Sequence, residues 1–244
     1  MLRPILVTLA VAAFVAAEDK KPAGPAAKPI ERLSQPFWKK RHEKFLDQTK
    51  KGGIDVVFLG DSITQGWEGK GGKKAWDEAF SPLKAGNYGI GGDQTGHVLW
   101  RITEGKELDG IDPKAAVIMI GTNNAGTHTA EQIAEGITAI VRELRRQKPS
   151  VKVLLLGVFP RANPREVKGD ATAKQLNPKV KQINEIIAKL DDGKAVFYKD
   201  IGGKFLDADG GLPRSVMPDL LHLSQKGYEI WAEAVKDDVA KLAK

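Results

Sequence analysis

Cysteine is absent from the 244 residues of this chain. The chain therefore has no disulfide, no thiolate nucleophile and no cysteine-ligated metal centre. It also lacks the cysteine that would carry the lipid anchor of a lipoprotein. Histidine is scarce, with four residues, which leaves few candidates for a general base at neutral pH.

Long apolar runs are also missing beyond the N-terminus, where no stretch approaches the roughly 18 apolar residues of a membrane span. We therefore expect no membrane-spanning segment in the mature chain. The first residues combine Arg3, an apolar run over 5–15 without charge, and the small residues Ala16 and Ala17. This pattern predicts a signal peptide over residues 1–17 and a secreted or periplasmic protein.

Composition divides the rest of the chain into two parts. Residues 18–35 are rich in Pro, Ala and Lys, which is typical of a mobile linker. Residues 36–244 are long enough for one α/β domain.

Charge is unbalanced towards the basic side, with 38 Lys and Arg against 31 Asp and Glu and a formal net charge of +7. A clustered basic patch would indicate an anionic partner such as a nucleic acid. The lysines are instead scattered along the chain. We therefore interpret the excess as a solvated surface and expect no nucleic-acid partner.

Short apolar runs alternate with helical patterns throughout the domain. Strands are predicted at 54–60, 85–88, 115–120, 151–158 and 195–198. A helix is predicted over 36–51 with Phe37, His42 and Phe45 facing inward, and Thr129 and Ser224 are predicted to cap two later helices. The runs at 117–120 and 153–156 do not alternate with polar residues, which favours a parallel sheet covered on both faces. The alternation predicts one doubly wound α/β domain with ligands bound at the carboxyl ends of the strands.

Small residues and single polar groups follow the predicted strands. These segments are Gly60-Asp61-Ser62, Gly91-Gly92-Asp93 and Gly121-Thr122-Asn123-Asn124, and Asp219-Leu220-Leu221-His222 precedes the last helix. A serine hydroxyl needs an adjacent base, and that base needs a third group to orient it. Ser62, His222 and Asp219 therefore form a candidate catalytic triad.

A tetrahedral intermediate also needs hydrogen-bond donors for its oxyanion. The N–H groups of Ser62 and Gly92 and the side-chain amide of Asn123 are suitable donors, each typically worth about 3–4 kcal/mol. We interpret Asp61 as a structural hydrogen-bonding residue near the site.

Four blocks in this order resemble the GDSL/SGNH hydrolase superfamily. They are "GDS" after the first strand, "NYGIGGDQTGHVLWRI", "GTNN" and "DLLHLSQKGY". Over residues 36–242 the chain is most similar to esterases of the platelet-activating-factor acetylhydrolase catalytic-subunit type. Asn124 stands where most of the superfamily has Asp, a departure shared by the acetylhydrolase-like branch.

The resemblance implies a flavodoxin-like three-layer α/β/α sandwich with a central five-stranded parallel sheet. It implies Ser62, Asp219 and His222 as catalytic residues, and Ser62, Gly92 and Asn123 as the oxyanion hole. Asp61, Asn124 and Asp93 are expected to support the site or to contact the substrate. The resemblance implies no cofactor and no metal. It does imply a homodimer.

The resemblance and the export signal indicate different alcohols for the ester substrate. An acetylhydrolase-type enzyme is expected to cleave a short acyl ester, acetyl first, of a lipid or alcohol. An exported enzyme also meets O-acetylated polysaccharides, so a carbohydrate esterase is the alternative. The loop side chains around the site decide between these two alcohols.

Two other classes of protein remain open from the sequence. A glycan-binding module on the same fold predicts a broken triad, and the triad residues are all present. A metal-dependent hydrolase would use Asp61, Asp93, His97 and His222, but the chain has no HxH or HExxH spacing. Insensitivity to a chelator distinguishes the serine mechanism from the metal mechanism.

Overall fold

A five-stranded parallel sheet forms the centre of the molecule, as seen in a computed structural model that describes residues 23–169 and 171–244. The strands are β1 (Val56–Gly60), β2 (Ala85–Gly89), β3 (Ala115–Met119), β4 (Lys152–Leu156) and β5 (Val196–Lys199). Their spatial order is β2-β1-β3-β4-β5, the order of flavodoxin-like folds. All five predicted strands are confirmed, with boundaries shifted by up to two residues.

Helices cover both faces of the sheet. They are α1 (Pro36–Lys51), α2 (Ser62–Gln65), α3 (Lys73–Ala79), α4 (Thr95–Ile102), α5 (Ala130–Gln147), α6 (Pro178–Ile187) and α7 (Gln225–Leu242). The predicted caps are confirmed. Thr129 and Gln132 form a reciprocal capping box at α5, and the Ser224 hydroxyl accepts the Gly227 N–H at the start of α7. These side chains satisfy N–H groups that the first helical turn leaves unpaired.

Two apolar cores fill the spaces between the three layers. Val57 and Leu59 of β1 point into the core shared with α1, α4, α5 and α6. Val56 and Phe58 point into the opposite core, which contains the buried face of α7. Because successive side chains of a strand face opposite ways, a strand buried on both sides must be apolar throughout. This arrangement confirms the three-layer α/β/α sandwich.

One predicted core position in α1 is wrong. His42 and Phe45 are buried, whereas Phe37 is 50% exposed. Trp38, one residue further on, takes the inward position instead and is fully buried. A guanidinium covers Phe37 from outside, with Arg32 Cζ lying 5.7 Å from the ring centroid.

The linker prediction for 18–35 is corrected where the structure describes this segment. Residues 25–27 form a 3-10 helix whose Ala26 and Ala27 are buried. The Ala26 carbonyl accepts the Thr95 hydroxyl at 2.7 Å, and Ile30 N–H donates to the Gly96 carbonyl at 3.0 Å. A Pro- and Ala-rich composition predicts mobility only when nothing packs against it. The signal peptide predicted over 1–17 lies outside the described residues.

Candidate active site

Ser62 lies where β1 meets α2, at the carboxyl edge of the sheet. The Asp61 carboxylate caps this short helix by accepting the Ile63 N–H at 2.9 Å. Gly60, the last residue of β1, lies in register with Gly89 of β2 and Met119 of β3. The ends of three neighbouring strands therefore surround the serine, as the sequence predicted.

His222 reaches Ser62 from the loop before α7. Its Nε2 lies 2.8 Å from Ser62 Oγ, and its Nδ1 lies 2.7 Å from Asp219 Oδ2. The two ring nitrogens thus contact the hydroxyl on one side and the carboxylate on the other. This is the geometry in which a histidine removes a serine proton while a carboxylate orients the ring.

The backbone around Asp219 fixes this arrangement. Asp219 Oδ1 accepts the N–H groups of Leu221 at 3.1 Å and His222 at 2.7 Å. Leu220 between them has a φ of 62°, a left-handed conformation that costs a residue with a side chain about 1–2 kcal/mol. The fully buried Leu220 side chain anchors the turn in the core under α7.

Asp219 is held as a carboxylate by its hydrogen bonds. Partial burial acts to raise its pKa, but the His222 side chain and the N–H groups of His222 and Leu221 prevail and lower the pKa below its usual value. The side chains of His222 and Asp219 are 45% and 55% exposed. The triad is therefore open to water and to substrate.

The predicted oxyanion donors differ in whether they already have a hydrogen-bond partner. The N–H groups of Ser62 and Gly92 make no hydrogen bond to any described part of the chain, so both are available to a ligand. Gly92 has a φ of +76°, which favours glycine. Asn123 Nδ2 donates to the Asp93 carbonyl at 2.9 Å and to Asp61 Oδ2 at 3.4 Å, so it must release the longer of these contacts to donate to an oxyanion.

Asp61 is an unusual carboxyl group at the back of the site. It is fully buried, and this burial raises its pKa to about 7, with the Ile63 N–H opposing and the Asp93 carboxyl adding. Its Oδ2 lies 3.4 Å from Asn123 Nδ2. Asp61 is thus a structural cap beside an oxyanion donor and does not contact the Ser62 hydroxyl.

Asn124 and Asp93 are placed behind the site. The Asn124 side chain accepts the Thr95 N–H at 3.0 Å and donates to the Thr95 hydroxyl at 3.2 Å. Asp93 is fully buried and accepts the Trp38 indole N–H at 2.8 Å, and it forms an ion pair with Arg101 at 2.9 Å. Both residues fix loops that carry candidate oxyanion donors.

The residues considered for a metal site serve other roles. His97 Nδ1 accepts the Gln94 N–H at 2.9 Å and completes the cap of α4. Burial lowers the pKa of His97 to about 4, with Arg32 and Arg101 contributing, so this ring is neutral. Within 23–169 and 171–244, no three His, Asp or Glu residues are grouped to hold a metal ion.

Two residues at the site were not predicted from the sequence. Gln65 Oε1 accepts the Gly91 N–H at 2.7 Å. Arg32 donates to the Gly91 carbonyl at 3.2 Å and to Asp93 Oδ1 at 2.9 Å. Gln65 lies three residues after Ser62 on α2. Because residues three apart on a helix are neighbours, the sequence could have placed Gln65 near Ser62. Arg32 carries no such signal because it belongs to the segment interpreted as a linker.

No helix in the described ranges has the length and apolar character needed to cross a bilayer.

Comparison with known proteins identifies relatives of this chain. The model of the GDSL-like lipase/acylhydrolase family matches residues 58–230. The human platelet-activating factor acetylhydrolase IB subunit alpha1 is 40% identical over 195 residues, covering 78% of each chain. The chicken IB subunit alpha2 is 41% identical over 194 residues, again covering 78% of each chain.

A solved structure is similar in fold. The GDSL-like lipase of Bacteroides thetaiotaomicron superimposes with a TM-score of 0.63 at 20% identity, covering 82% of this chain and 97% of the other. At that identity the likeness concerns the fold.

Proposed function

This chain belongs to the GDSL-like lipase/acylhydrolase family, whose members hydrolyse esters, and we propose that it does so as a serine esterase with Ser62 as the nucleophile. The observation that carries the proposal is the continuous contact from Ser62 Oγ to His222 Nε2 at 2.8 Å and from His222 Nδ1 to Asp219 at 2.7 Å. Each member of the triad is within hydrogen-bonding distance of the next without rearrangement.

The reaction follows from these contacts. His222 Nε2 takes the Ser62 proton as Oγ attacks the ester carbonyl carbon, and the carbonyl oxygen becomes an oxyanion. The N–H groups of Ser62 and Gly92 and the Asn123 amide stabilise that charge. As the carbon–oxygen bond to the alcohol breaks, His222 returns the proton to the alcohol. Water then attacks the acyl carbon while His222 takes its proton, and His222 passes that proton to Ser62 Oγ as the bond from Oγ to the acyl carbon breaks and the carboxylic acid leaves.

We propose acetyl as the preferred acyl group. Support comes from the relatives named acetylhydrolases, which share about 40% of their residues with this chain over most of its length. The test is hydrolysis of p-nitrophenyl acetate, butyrate and octanoate by wild type and Ser62→Ala, with and without a chelator. We expect activity on acetate to exceed activity on octanoate, to vanish in Ser62→Ala and to resist the chelator.

Three results would count against parts of this proposal. Full activity in Ser62→Ala would overturn the nucleophile, and inhibition by the chelator would favour a metal mechanism. Equal rates on acetate and octanoate would overturn the acetyl preference. Inactivity of wild type on every ester, including acetylated glycans, would favour a glycan-binding module.

A second candidate alcohol, a sugar, is favoured by a polar cavity beside the site. The cavity of about 390 Å³ is lined largely by amide and charged side chains: Arg161, Asn163, Glu166, Gln175 and Asn177. Arg161 donates to the Thr122 carbonyl at 3.0 Å, and Ala162 N–H donates to the Leu220 carbonyl at 3.1 Å. The cavity wall therefore contacts Thr122, which precedes Asn123, and Leu220, which lies two residues before His222.

Side-chain amides suit hydroxyl groups better than alkyl chains, because a buried polar group without a partner is costly. A higher kcat/KM on an acetylated oligosaccharide than on the acetyl ester of a long-chain alcohol would support the sugar. Loss of that preference in Gln175→Leu would assign it to this cavity. The reverse preference in wild type would support the lipid.

We also propose that the protein is exported, on the basis of residues 1–17. The check is the mass of the protein recovered from a bacterial host with a general secretion pathway. Export predicts a processed chain beginning at about Glu18, and an intact chain retained in the cytoplasm contradicts it.

A further inference from the structure

We propose that Arg32 is a positioning residue that orients and polarises the Gly92 N–H of the oxyanion hole through the carbonyl of the same peptide group. This inference rests on the proposed serine-esterase function. It concerns a residue from outside the family match, which begins at residue 58.

The geometry of one peptide group links Arg32 to the oxyanion. The Gly91 carbonyl and the Gly92 N–H belong to the same planar unit and point in opposite directions when that unit is trans, as all described peptide bonds are. Arg32 Nη1 donates to the Gly91 carbonyl at 3.2 Å. The Gly92 N–H therefore points away from the guanidinium, and no described group accepts it.

Two consecutive glycines make an anchor necessary. Neither Gly91 nor Gly92 has a Cβ, so rotation of their shared peptide group meets little steric resistance. A rotated peptide would present its carbonyl where the N–H is needed and would repel an oxyanion. The hydrogen bond from Arg32 holds the carbonyl of this unit, and the hydrogen bond from Gly91 N–H to Gln65 Oε1 at 2.7 Å holds the preceding peptide group.

Arg32 is itself fixed by its surroundings. Its Nη1 also donates to Asp93 Oδ1 at 2.9 Å, and its Nη2 donates to Gln35 Oε1 at 2.7 Å. The side chain is only 13% exposed. Such a guanidinium cannot swing away from the Gly91 carbonyl without breaking an ion pair.

The charge of Arg32 adds to its geometric effect. A cation donating to a carbonyl polarises the peptide group and makes its N–H a stronger donor, since hydrogen bonds in a chain strengthen one another. The benefit grows as negative charge develops on the substrate oxygen. Arg32 therefore acts more on the transition state than on substrate binding.

A purely structural role would give a different result. Asp93 already pairs with Arg101 and Trp38, so loss of Arg32 leaves that carboxylate with two partners. If Arg32 only supported the fold, its loss would lower stability without selectively lowering kcat.

The experiment measures kcat and KM for p-nitrophenyl acetate with full-length wild type, Arg32→Ala and Arg32→Lys. We expect Arg32→Ala to lose about 10- to 100-fold in kcat, somewhat less than removal of an oxyanion donor itself, with KM changed less than about twofold. Arg32→Lys retains the charge without the fork that contacts both acceptors, so its loss should be intermediate. Guanidinium ion, well below denaturing concentrations, should partly restore Arg32→Ala.

A second readout reports the oxyanion directly. A boronic acid forms a tetrahedral anionic adduct with an active-site serine, whereas acetate binds as a product. Arg32→Ala should weaken boronate inhibition by the same factor as kcat and leave acetate inhibition unchanged.

Arg41→Ala is the matched control. Arg41 also donates to a carbonyl of this segment, that of Gly89, at 3.0 and 2.6 Å, and its side chain is 14% exposed. It does not contact the Gly91–Gly92 peptide group, so its kcat should stay within about threefold of wild type.

Two outcomes would overturn the inference. One is a folded Arg32→Ala with kcat within about threefold of wild type, and the other is an equal loss in Arg41→Ala. If Arg32→Ala fails to fold, a kcat for Arg32→Lys equal to wild type, with equal boronate affinity, would also overturn it. Ser62→Ala, assayed beside them, separates the two proposals, because full activity there refutes the serine mechanism whatever Arg32 does.

Discussion

At the scale of single residues, the site depends on groups whose environments differ although their chemistry is similar. Asp219 and Asp61 are both carboxylic acids at the site, where Asp219 contacts His222 and Asp61 contacts Asn123. Partial burial acts to raise the pKa of Asp219, but hydrogen bonds from His222 and Leu221 lower it, whereas burial raises the pKa of Asp61 to about 7. One therefore serves as a charged partner for His222, and the other is largely neutral below pH 7.

Replacement of Asp219 tests the first of these roles. Asp219→Asn keeps the size of the side chain but removes the charge that stabilises the protonated His222 ring. We expect kcat on p-nitrophenyl acetate to fall by about 10²- to 10⁴-fold, with little change in the thermal midpoint because the side chain is 55% exposed. Unchanged kcat would show that Asp219 does not orient His222.

Asp61 makes stability depend on pH with a definite sign. Its pKa rises from an ordinary 3.8 to about 7 on folding, so the folded state binds more protons than the unfolded state between these values. Stability therefore falls as pH rises from 4 to 7. A shift of about three pH units corresponds to at most about 4 kcal/mol.

Asp61→Asn should remove this dependence while keeping a side chain that caps helices well. Urea unfolding at pH 5 and pH 8 measures the free energy of unfolding. Relative to wild type, this free energy should be higher for the variant at pH 8 than at pH 5. Asp112→Asn, whose side chain is 89% exposed in the parent, serves as the control and should follow wild type. Parallel curves for wild type and Asp61→Asn would contradict the raised pKa.

Sequence patterns predicted the polar residues of the site because each follows an apolar strand or precedes a helix cap. Ser62, Asn123 and His222 could be located this way without knowing which loops touch. Arg32 could not, since its partner Gly91 lies 59 residues away and its own segment has the composition of a linker. Contacts of that separation depend on packing that composition does not encode.

At the scale of elements, the close approach of β2 to α2 sets the position of Ser62. A Cβ added at Gly89 would lie 2.2 Å from the Gln65 nitrogen and 2.7 Å from the Thr64 carbonyl carbon. Both are backbone atoms, so no side-chain rotation relieves the clash. Gly89 is thus required by packing between the two elements.

Gly89→Ala should therefore affect both stability and catalysis. We expect a loss of about 1–3 kcal/mol from overpacking and a fall in kcat as α2 moves away from His222. Thermal unfolding and kcat measure the two effects. Gly126→Ala, where an added Cβ meets nothing within 4 Å, is the control, and a Gly89→Ala enzyme equal to it would contradict the argument.

The central strands are predictable from the sequence because their apolar runs are continuous. A strand buried on both faces is apolar without alternation, as in Val117 and Ile118 of β3, which face opposite cores. Phe37 was misplaced because its neighbour Trp38 also fits a helical stripe, and periodicity alone does not choose between adjacent large residues.

At the scale of the whole molecule, residues 24–35 connect helix α5 to the loop that contains Gly91 and Gly92. Gly24 N–H donates to Glu135 Oε1 at 2.9 Å on α5, and Arg32 reaches the Gly91 carbonyl. A chain that begins at Pro36 loses these contacts, whereas a chain that begins at Ala23 keeps them. We therefore expect the chain that begins at Pro36 to lose stability and activity, and the chain that begins at Ala23 to keep both.

The comparison requires full-length protein and both truncations. Each kcal/mol lost should lower the thermal midpoint by about 2–4 °C, and kcat should fall at least as far as in Arg32→Ala. Equal midpoints and rates for the two truncations would show that 24–35 do not support the domain.

We expect Ser62 to carry the acyl group during turnover. The most direct measurement is acid quenching of wild type during hydrolysis of p-nitrophenyl acetate, followed by mass analysis of the peptide containing Ser62. We expect that peptide to gain the mass of one acetyl group in wild type and in no sample of Ser62→Ala. An acetyl group on another residue, or turnover by Ser62→Ala at the wild-type rate, would show that Ser62 is not the nucleophile.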